Sequence, residues 1–273
     1  MVQALEVVGF AVKHRGTPKR VICAMAILAT ILLLITGCGS GWDEARMERM
    51  AKQAMAEKVE AVKAGTSDSI EIHEIEITDA HLSQLEGLSR LKSLVLHNTK
   101  ITDEGLASLA KLENLESLRL VGSRVGDEGL AHLRGMKKLQ TLDIGGSGVS
   151  SQGVAHIIGL SGLLSLNLGH TRIDDAGLAQ LATLRNLVYL RLGSKQITDK
   201  GIAHLPALKS LKALHLMDVR LTDEGLAHIG KMTHLHSLYL DRTKITDAGI
   251  EQLYKDIPKI HFHVDQTHIH GQH

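Results

Sequence analysis

Aromatic residues make up only 2% of this 273-residue chain, prolines number three and cysteines two, and neither sign of charge prevails, the formal net charge being +1. Each shortage excludes something. With so few rings the interior must be branched aliphatic, and a platform of Trp, Tyr or Phe for stacking bases or sugars is missing. Balanced charge without a basic stripe lacks the electrostatic footprint of nucleic-acid binding, so no nucleic-acid partner is expected. No Cys ligand cluster and no His-Glu-x-x-His helix marks a metal site. Gly145-Gly146-Ser147-Gly148 lacks the Lys-Ser/Thr ending of a phosphate-binding loop and reads as a glycine-rich version of a bend that every copy of a repeat contains. No nucleophile stands out, so the chain is not expected to be an enzyme, and no cofactor is implied.

What the chain does have is a period. Leu94, Leu118, Leu142, Leu166, Leu190, Leu214, Leu238 and Phe262 fall 24 residues apart, without an insertion from about Ile70 to Ile269. A unit this short cannot bury its own apolar face, so copies must stack and share one core as a solenoid. Within the copy Leu94 to Leu115, Leu94 and Leu96 alternate with polar neighbours as on a half-buried strand. Leu106, Leu109 and Leu112 are spaced as one stripe of a helix. Thr102 and Asp103 stand where that helix begins, and their short oxygen side chains are expected to accept hydrogen bonds from first-turn amides. Thr78-Asp79, Asp174-Asp175, Thr198-Asp199, Thr222-Asp223 and Thr246-Asp247 repeat the device.

Gly105, Gly129, Gly153, Gly177, Gly201, Gly225 and Gly249 form one column. Glycine in a helix costs roughly 0.5–1 kcal/mol relative to alanine, so the column predicts that this turn presses on the backbone of the adjacent copy. The alanines at 107, 131, 155, 179, 203 and 227 predict similarly tight spacing on another helical face. A helix after each strand carries the chain back, which makes successive strands parallel. Strands stack about 4.8 Å apart and helices are about 10 Å across, so the sheet takes the inner curve of an α/β horseshoe.

The phrase Leu-x-x-Leu-x-Leu-x-x-(Thr/Ser)-x-Ile resembles the leucine-rich repeat family. The segment Ile101-Thr102-Asp103-Glu104-Gly105-Leu106 is most similar to its ribonuclease-inhibitor-like and F-box-associated branch. Short bacterial copies with the Thr-x-Ile-Thr-Asp phrase resemble those of planctomycete-type exported proteins. The resemblance implies an α/β leucine-rich repeat solenoid, a right-handed βα superhelix of about eight to nine copies over residues 70–269, with a parallel concave sheet and convex helices. The family usually has Asn or Cys where this chain has Thr99, Ser123, Ser147, Thr171, Thr243 and Thr267, and a hydroxyl there is expected to bond to loop backbone groups. Lys195 and Val219 break that column, so the loops of those two copies are expected to be less well tied.

At the other end, Lys13, Arg15, Lys19 and Arg20 precede a 16-residue apolar run, Val21 to Thr36, which is short for a permanent span. The ending Ile35-Thr36-Gly37-Cys38 is similar to a bacterial lipobox. It implies that residues 1–37 are a signal peptide, that Cys38 is lipidated, and that the protein is exported and tethered to a membrane of the bacterial envelope. Cys23 leaves with the signal, so no disulfide can form within the mature chain. An uncleaved anchor is the alternative, and either form places the repeats outside. Residues 38–69 read as tether and cap. Trp42 to Ala64 contains neither Pro nor Gly and predicts a helix of about six turns, stopped at Gly65-Thr66-Ser67-Asp68, that covers the first copy. Helix-mediated dimerisation is the other reading of this segment, and the oligomeric state is left open.

Between the inward leucines, the concave column reads Val95, Arg119, Asp143, Asn167, Arg191, His215, Tyr239 and His263, and it changes from copy to copy. One flanking column holds His97, Val121, Gly145, Gly169, Gly193, Met217, Asp241 and Asp265. The other holds Ser93, Ser117, Thr141, Ser165, Tyr189, Ala213, Ser237 and His261. Small residues in the middle copies predict a shallow trough. Arg119, Asp143, Asn167, Arg191, His215, Tyr239 and His263 are the candidate ligand-binding residues, with Arg119, Arg191 and Tyr239 of the types enriched among interface anchors. The partner expected is a protein or peptide. His132, His156, His204 and His228 read as a half-exposed helical surface. His261, His263 and His268, with His270 and His273 in the tail 270–273, are spaced for imidazole coordination, which keeps an envelope metal-handling protein as an alternative. A cytosolic recognition subunit resembling F-box leucine-rich proteins is a further one.

Overall fold

Strand and helix alternate because the apolar period switches within each copy from two residues to between three and four. A computed structural model describes residues 44–73, 75–97, 99–265 and 267–269. The expected signal segment, Cys38 and the tail 270–273 lie outside the described residues. Helix α1 (Glu44–Lys63) comes first. Nine strands then pair side by side in chain order, all parallel: β1 (Ser69–Ile72), β2 (Ser93–His97), β3 (Ser117–Val121), β4 (Thr141–Asp143), β5 (Ser165–Leu168), β6 (Tyr189–Gly193), β7 (Ala213–Met217), β8 (Ser237–Asp241) and β9 (His261–Val264). The strands β1 to β8 are each followed by a helix: α2 (Asp79–Leu82), α3 (Asp103–Leu109), α4 (Asp127–Ala131), α5 (Ser151–Ile157), α6 (Asp175–Leu181), α7 (Asp199–Ile202), α8 (Asp223–Gly230) and α9 (Asp247–Asp256).

Leucine sets the register. Leu94, Leu118, Leu142, Leu166, Leu190, Leu214, Leu238 and Phe262 lie directly opposite one another on adjacent strands, and all are fully buried. A slip of one residue would turn the whole column to solvent. Each such side chain contributes about 1.5–3 kcal/mol by leaving water. The first copy is closed by α1, whose Ala51, Met55, Val59 and Val62 form a buried stripe against β1 and α2. His81, itself buried, accepts or donates at Thr78 Oγ1 (2.9 Å) and lies 3.3 Å from Glu48 Oε1 of α1, within ion-pair distance but not in hydrogen-bond alignment. Gly65, at φ +71°, ends α1: its amide reaches Val62 O and that of Thr66 reaches Ala61 O, which satisfies the last carbonyls.

The last copy departs from expectation. Thr267 and Ile269 do not continue the repeat but form β10 (Thr267–Ile269), antiparallel to β9, with His268 opposite His263. Only two residues separate Val264 from Thr267, too few for the crossover that a parallel pairing needs. The sheet is therefore parallel through β9 and closed by one antiparallel strand.

The copies are stitched by a carboxylate ladder. Asp79 Oδ1 accepts from Thr102 N (2.9 Å) and Oδ2 from Thr102 Oγ1 (2.7 Å), reaching the start of the next helix instead of capping its own. Asp127 holds Ser150 in the same way, as Asp175 holds Thr198, Asp199 holds Thr222 and Asp223 holds Thr246. The expected capping by short oxygen side chains is met at Asp174, Thr198, Thr222 and Thr246 but not at Thr102, and Ser150, outside the expected set, also caps its helix. This ladder is what the glycine column makes room for. A Cβ on Gly153 would fall 2.5 Å from Asp127 Oδ1 and 3.1 Å from its Cα, so the close approach is to the acid side chain as well as to backbone. At one junction the partners exchange roles: Ser151 Oγ donates to Asp174 Oδ1 (2.5 Å) and accepts from Asp174 N (3.0 Å), which spares two carboxylates from facing each other.

Two further expectations need correction. The alanine column carries no tight spacing, since Ala107, Ala155, Ala203 and Ala227 are exposed and Ala131 and Ala179 half-buried on the outer helical face. The loops at Lys195 and Val219 are not loosened. Ser194 takes the buried place beside Lys195 and accepts from Gln196 N, and Val219 fills its own place with a methyl pair at 3% exposure. Among the hydroxyls of that column Thr171 donates to Leu168 O (2.8 Å), whereas those of Thr99, Ser123 and Ser147 are shielded without a partner among the described residues.

Candidate recognition surface

With alternate side chains committed to the core, the others on each strand must face away from it. Register places Arg119, Asp143, Asn167, Arg191, His215, Tyr239 and His263 directly opposite one another across β3 to β9, so all seven share one row. Arg119 is exposed and the other six are half-buried.

The row has two chemically different ends. Between β3 and β6 lies a hollow of about 340 Å³ lined by Arg119, Thr141, Asp143, Ser165, Asn167, Tyr189 and Arg191. Asp143 Oδ1 accepts from Gly145 N (3.1 Å) and Asn167 Oδ1 from Gly169 N (2.9 Å), so both short side chains are tied to their own loops, and the Asn167 NH2 has no partner among the described residues. Arg191 Nη2 meets the weak acceptor Met217 Sδ at 3.7 Å, and Arg191 Nε is shielded with no partner among the described residues. Burial pushes the Tyr189 phenol above its ordinary range, against the pull of Arg191, so it remains a neutral hydroxyl at pH 7.

Of the small residues from which a trough is expected in the middle copies, those of the glycine flank, Gly145, Gly169 and Gly193, are covered. A Cβ at Gly169 would lie 3.2 Å from Asn167 Oδ1 and 3.5 Å from both Arg191 Nε and Met217 Sδ, because these long side chains lean over the bare backbone. The hollow sits on the other flank, over Thr141 and Ser165.

Between β7 and β9 the row is occupied by rings. His215 Nε2 lies 2.7 Å from Asp241 Oδ2, with the two side chains 16% and 14% exposed. Burial pushes the His215 imidazole below its ordinary value, Asp241 opposing and Arg191 adding, so at pH 7 a neutral ring donates from Nε2 to the carboxylate. Tyr239 stacks on His263, with centroids 4.7 Å apart at 8°, and lies 5.6 Å from His215. His263 Nε2 and His261 Nε2 are 2.7 Å apart. Among the described residues no group of three or more His, Cys, Asp or Glu is arranged to hold a metal ion. His132 and His204 are exposed and His156 and His228 half-buried on the outer helical face, as expected.

Outside the expected row, Asp218 and Arg242 form an ion pair in the strand-to-helix loops. Arg242 donates from Nε and Nη2 to the two Asp218 oxygens at 2.7 and 2.5 Å, which holds Asp218 below the usual carboxylate range. Both have φ of +54°, as does His170 at +56°, in the column where Gly122 and Gly146 have +74° and +75°. A charged side chain placed where glycine is unstrained was a legible signal. A larger hollow of about 590 Å³ lies away from the row, beside Gly65 to Asp68; its Lys92 stands 3.9 Å from both Asp68 and Glu116, so that charge is already matched.

A family profile described as Leucine Rich repeat matches residues 89–110, 111–133, 163–182 and 231–253. The crystal structure of an internalin (inlF) from Listeria monocytogenes is similar at a TM-score of 0.56 and 26% identity over 75% of this chain and 61% of that one. The chain thus spans about three fifths of that internalin's length. An internalin C2 (inlC2) from the same organism matches at a TM-score of 0.61 and 22% identity, over 78% of this chain and 92% of its own, and attests the fold. No curated protein matches the sequence. No helix among the described residues is long and apolar enough to cross a membrane.

Proposed function

Because this chain is a leucine-rich repeat protein, we propose that the open face of its sheet recognises a protein or peptide ligand, and that the solenoid is carried on an exported lipoprotein tethered to a bacterial envelope membrane through Cys38. The observation that carries the recognition reading is the row itself. Seven side chains of seven successive copies line up on one face, none is consumed by the core, and neighbouring copies differ in charge and shape. Structural demand repeats the leucines, glycines and acids, so this freedom is where specificity is written. On this reading the protein is an interaction module, not an enzyme, with neither a cofactor nor a nucleic-acid partner.

Capture from envelope extract tests the face. Arg119→Glu with Arg191→Glu is expected to lose the partners that the wild type retains; survival of every partner would place recognition elsewhere. Metabolic labelling with a fatty-acid analogue tests the tether, with label on the wild type and none on Cys38→Ser. An unlabelled wild type removes the lipoprotein.

A further inference from the structure

We infer that the hollow between β3 and β6 receives a carboxylate of an extended acidic peptide, whose adjacent apolar side chain rests on Leu164 and Val188. The inference depends on the recognition reading above and names the chemistry of the ligand.

The lining is rich in donors. Arg119, Arg191, the Asn167 amide and the hydroxyls of Thr141, Ser165 and Tyr189 converge there, against a single acid, Asp143, one of whose oxygens already serves Gly145. Arg242, by contrast, has an acid within reach and is matched by Asp218. Among the described residues neither Arg119 nor Arg191 forms an ion pair, and the best acceptor Arg191 has found is a thioether. A guanidinium fork fits a planar carboxylate with two parallel bonds, which a sulfur cannot replace. Asp143 on the rim disfavours a doubly charged phosphate and tolerates one carboxylate.

The apolar half of the inference has its own observation. Leu164 and Val188, each 40% exposed, are two of the three large hydrophobic side chains left open on the described surface, the third being Ile158 at 38%. They are neighbours, since Val188 N donates to Leu164 O (2.8 Å). Each immediately precedes a residue of the hollow, Ser165 and Tyr189 respectively. Apolar area just ahead of β5 and β6 thus adjoins the hollow that Arg119 of β3 and Arg191 of β6 line, as an acidic residue beside an aliphatic one on a peptide would require.

A displayed random-peptide library panned against the full chain, followed by fluorescence anisotropy with the enriched peptides, tests this. Enriched peptides are expected to carry Asp or Glu next to Leu, Ile, Val or Phe. Arg119→Gln with Arg191→Gln should weaken them about tenfold or more, as should Glu→Gln in the peptide. Leu164→Ser with Val188→Ser should weaken them about fivefold. Arg119→Gln alone, at an exposed position, gives part of the loss without risk to folding, and Arg191→Lys separates the fork from the charge. Peptides that bind the open face but are neutral or basic, or acidic peptides indifferent to the arginine variants, overturn the inference and leave the recognition face standing. Failure to enrich any peptide, or binders insensitive to every open-face substitution including Tyr239→Ala, overturns both.

Discussion

The two sides of each copy obey opposite rules. At five of the described helix starts the same three residue types recur because one geometry closes the junction: an acid in one copy, a hydroxyl and amide in the next, and a glycine that lets them approach. On the open face the register is just as strict, yet Arg119, Asp143, Asn167 and Arg191 follow one another with no common chemistry. The same 24-residue spacing therefore produces sameness where one geometry closes the junctions and difference along the face turned away from the core, where the contacts between copies change from pair to pair. Repetition is a demand of stacking, and variation marks the surface that stacking leaves alone.

The sharpest way to break this comparison uses two adjacent residues. Leu190→Ala should remove about 2–5 kcal/mol of stability in urea unfolding, while Arg191→Ala, one residue along β6, should remain within about 1 kcal/mol. Similar losses would mean that the open face is part of the load of the fold. A second test addresses the junction where the roles are exchanged. Ser151→Asp sets a second carboxylate against Asp174 and should cost about 1–3 kcal/mol, and adding Asp174→Thr should restore most of it by recreating the arrangement of the other junctions. Additive losses in the double variant would show that the ladder is incidental.

Acid gives the smallest of these effects. Hydrogen bonds from Ser151 and Gly177 hold the Asp174 carboxyl below its ordinary value, and bonds from the Thr246 hydroxyl and amide do the same for Asp223. A lowered folded pKa stabilises fully above the unfolded value of about 3.9, and the gain is lost as pH falls through the folded one. The stability gap between wild type and Asp174→Asn with Asp223→Asn should therefore be open at neutral pH and close on acidification. Both groups are half-buried and keep contact with water, so the gap should be no more than about 1 kcal/mol for each. A gap that stays constant to low pH would show that the ionised form is not what these hydroxyls hold.

Much of the fold was legible because its causes are local. Leucine spacing set the strands and their register, and the pause in helix propensity at Gly65 set the end of α1. The glycine column announced a close approach, but its partner was misread as backbone alone, since the acid that fills the space lies one copy away and points away from its own helix. The reversal at β10 was hidden because Thr267 and Ile269 keep the repeat's spacing while the link before them is too short to keep its direction. At the site, residue identity and row were readable. The lean of Arg191 over Gly169 toward Met217 was not, because it depends on long side chains settling across more than one copy. Val219 looked like a defect only when polarity was counted, and its burial shows that filling the loop's inner place matters as much as bonding there.

Hydroxyl-radical footprinting of the chain with and without a captured partner tests most directly whether the variable face is the recognising one. The account predicts that Tyr189 and Tyr239 lose reactivity on binding while Tyr254, on α9 of the outer side, does not. Protection confined to Tyr254 and the helical histidines, with Tyr189 and Tyr239 unchanged, would contradict it.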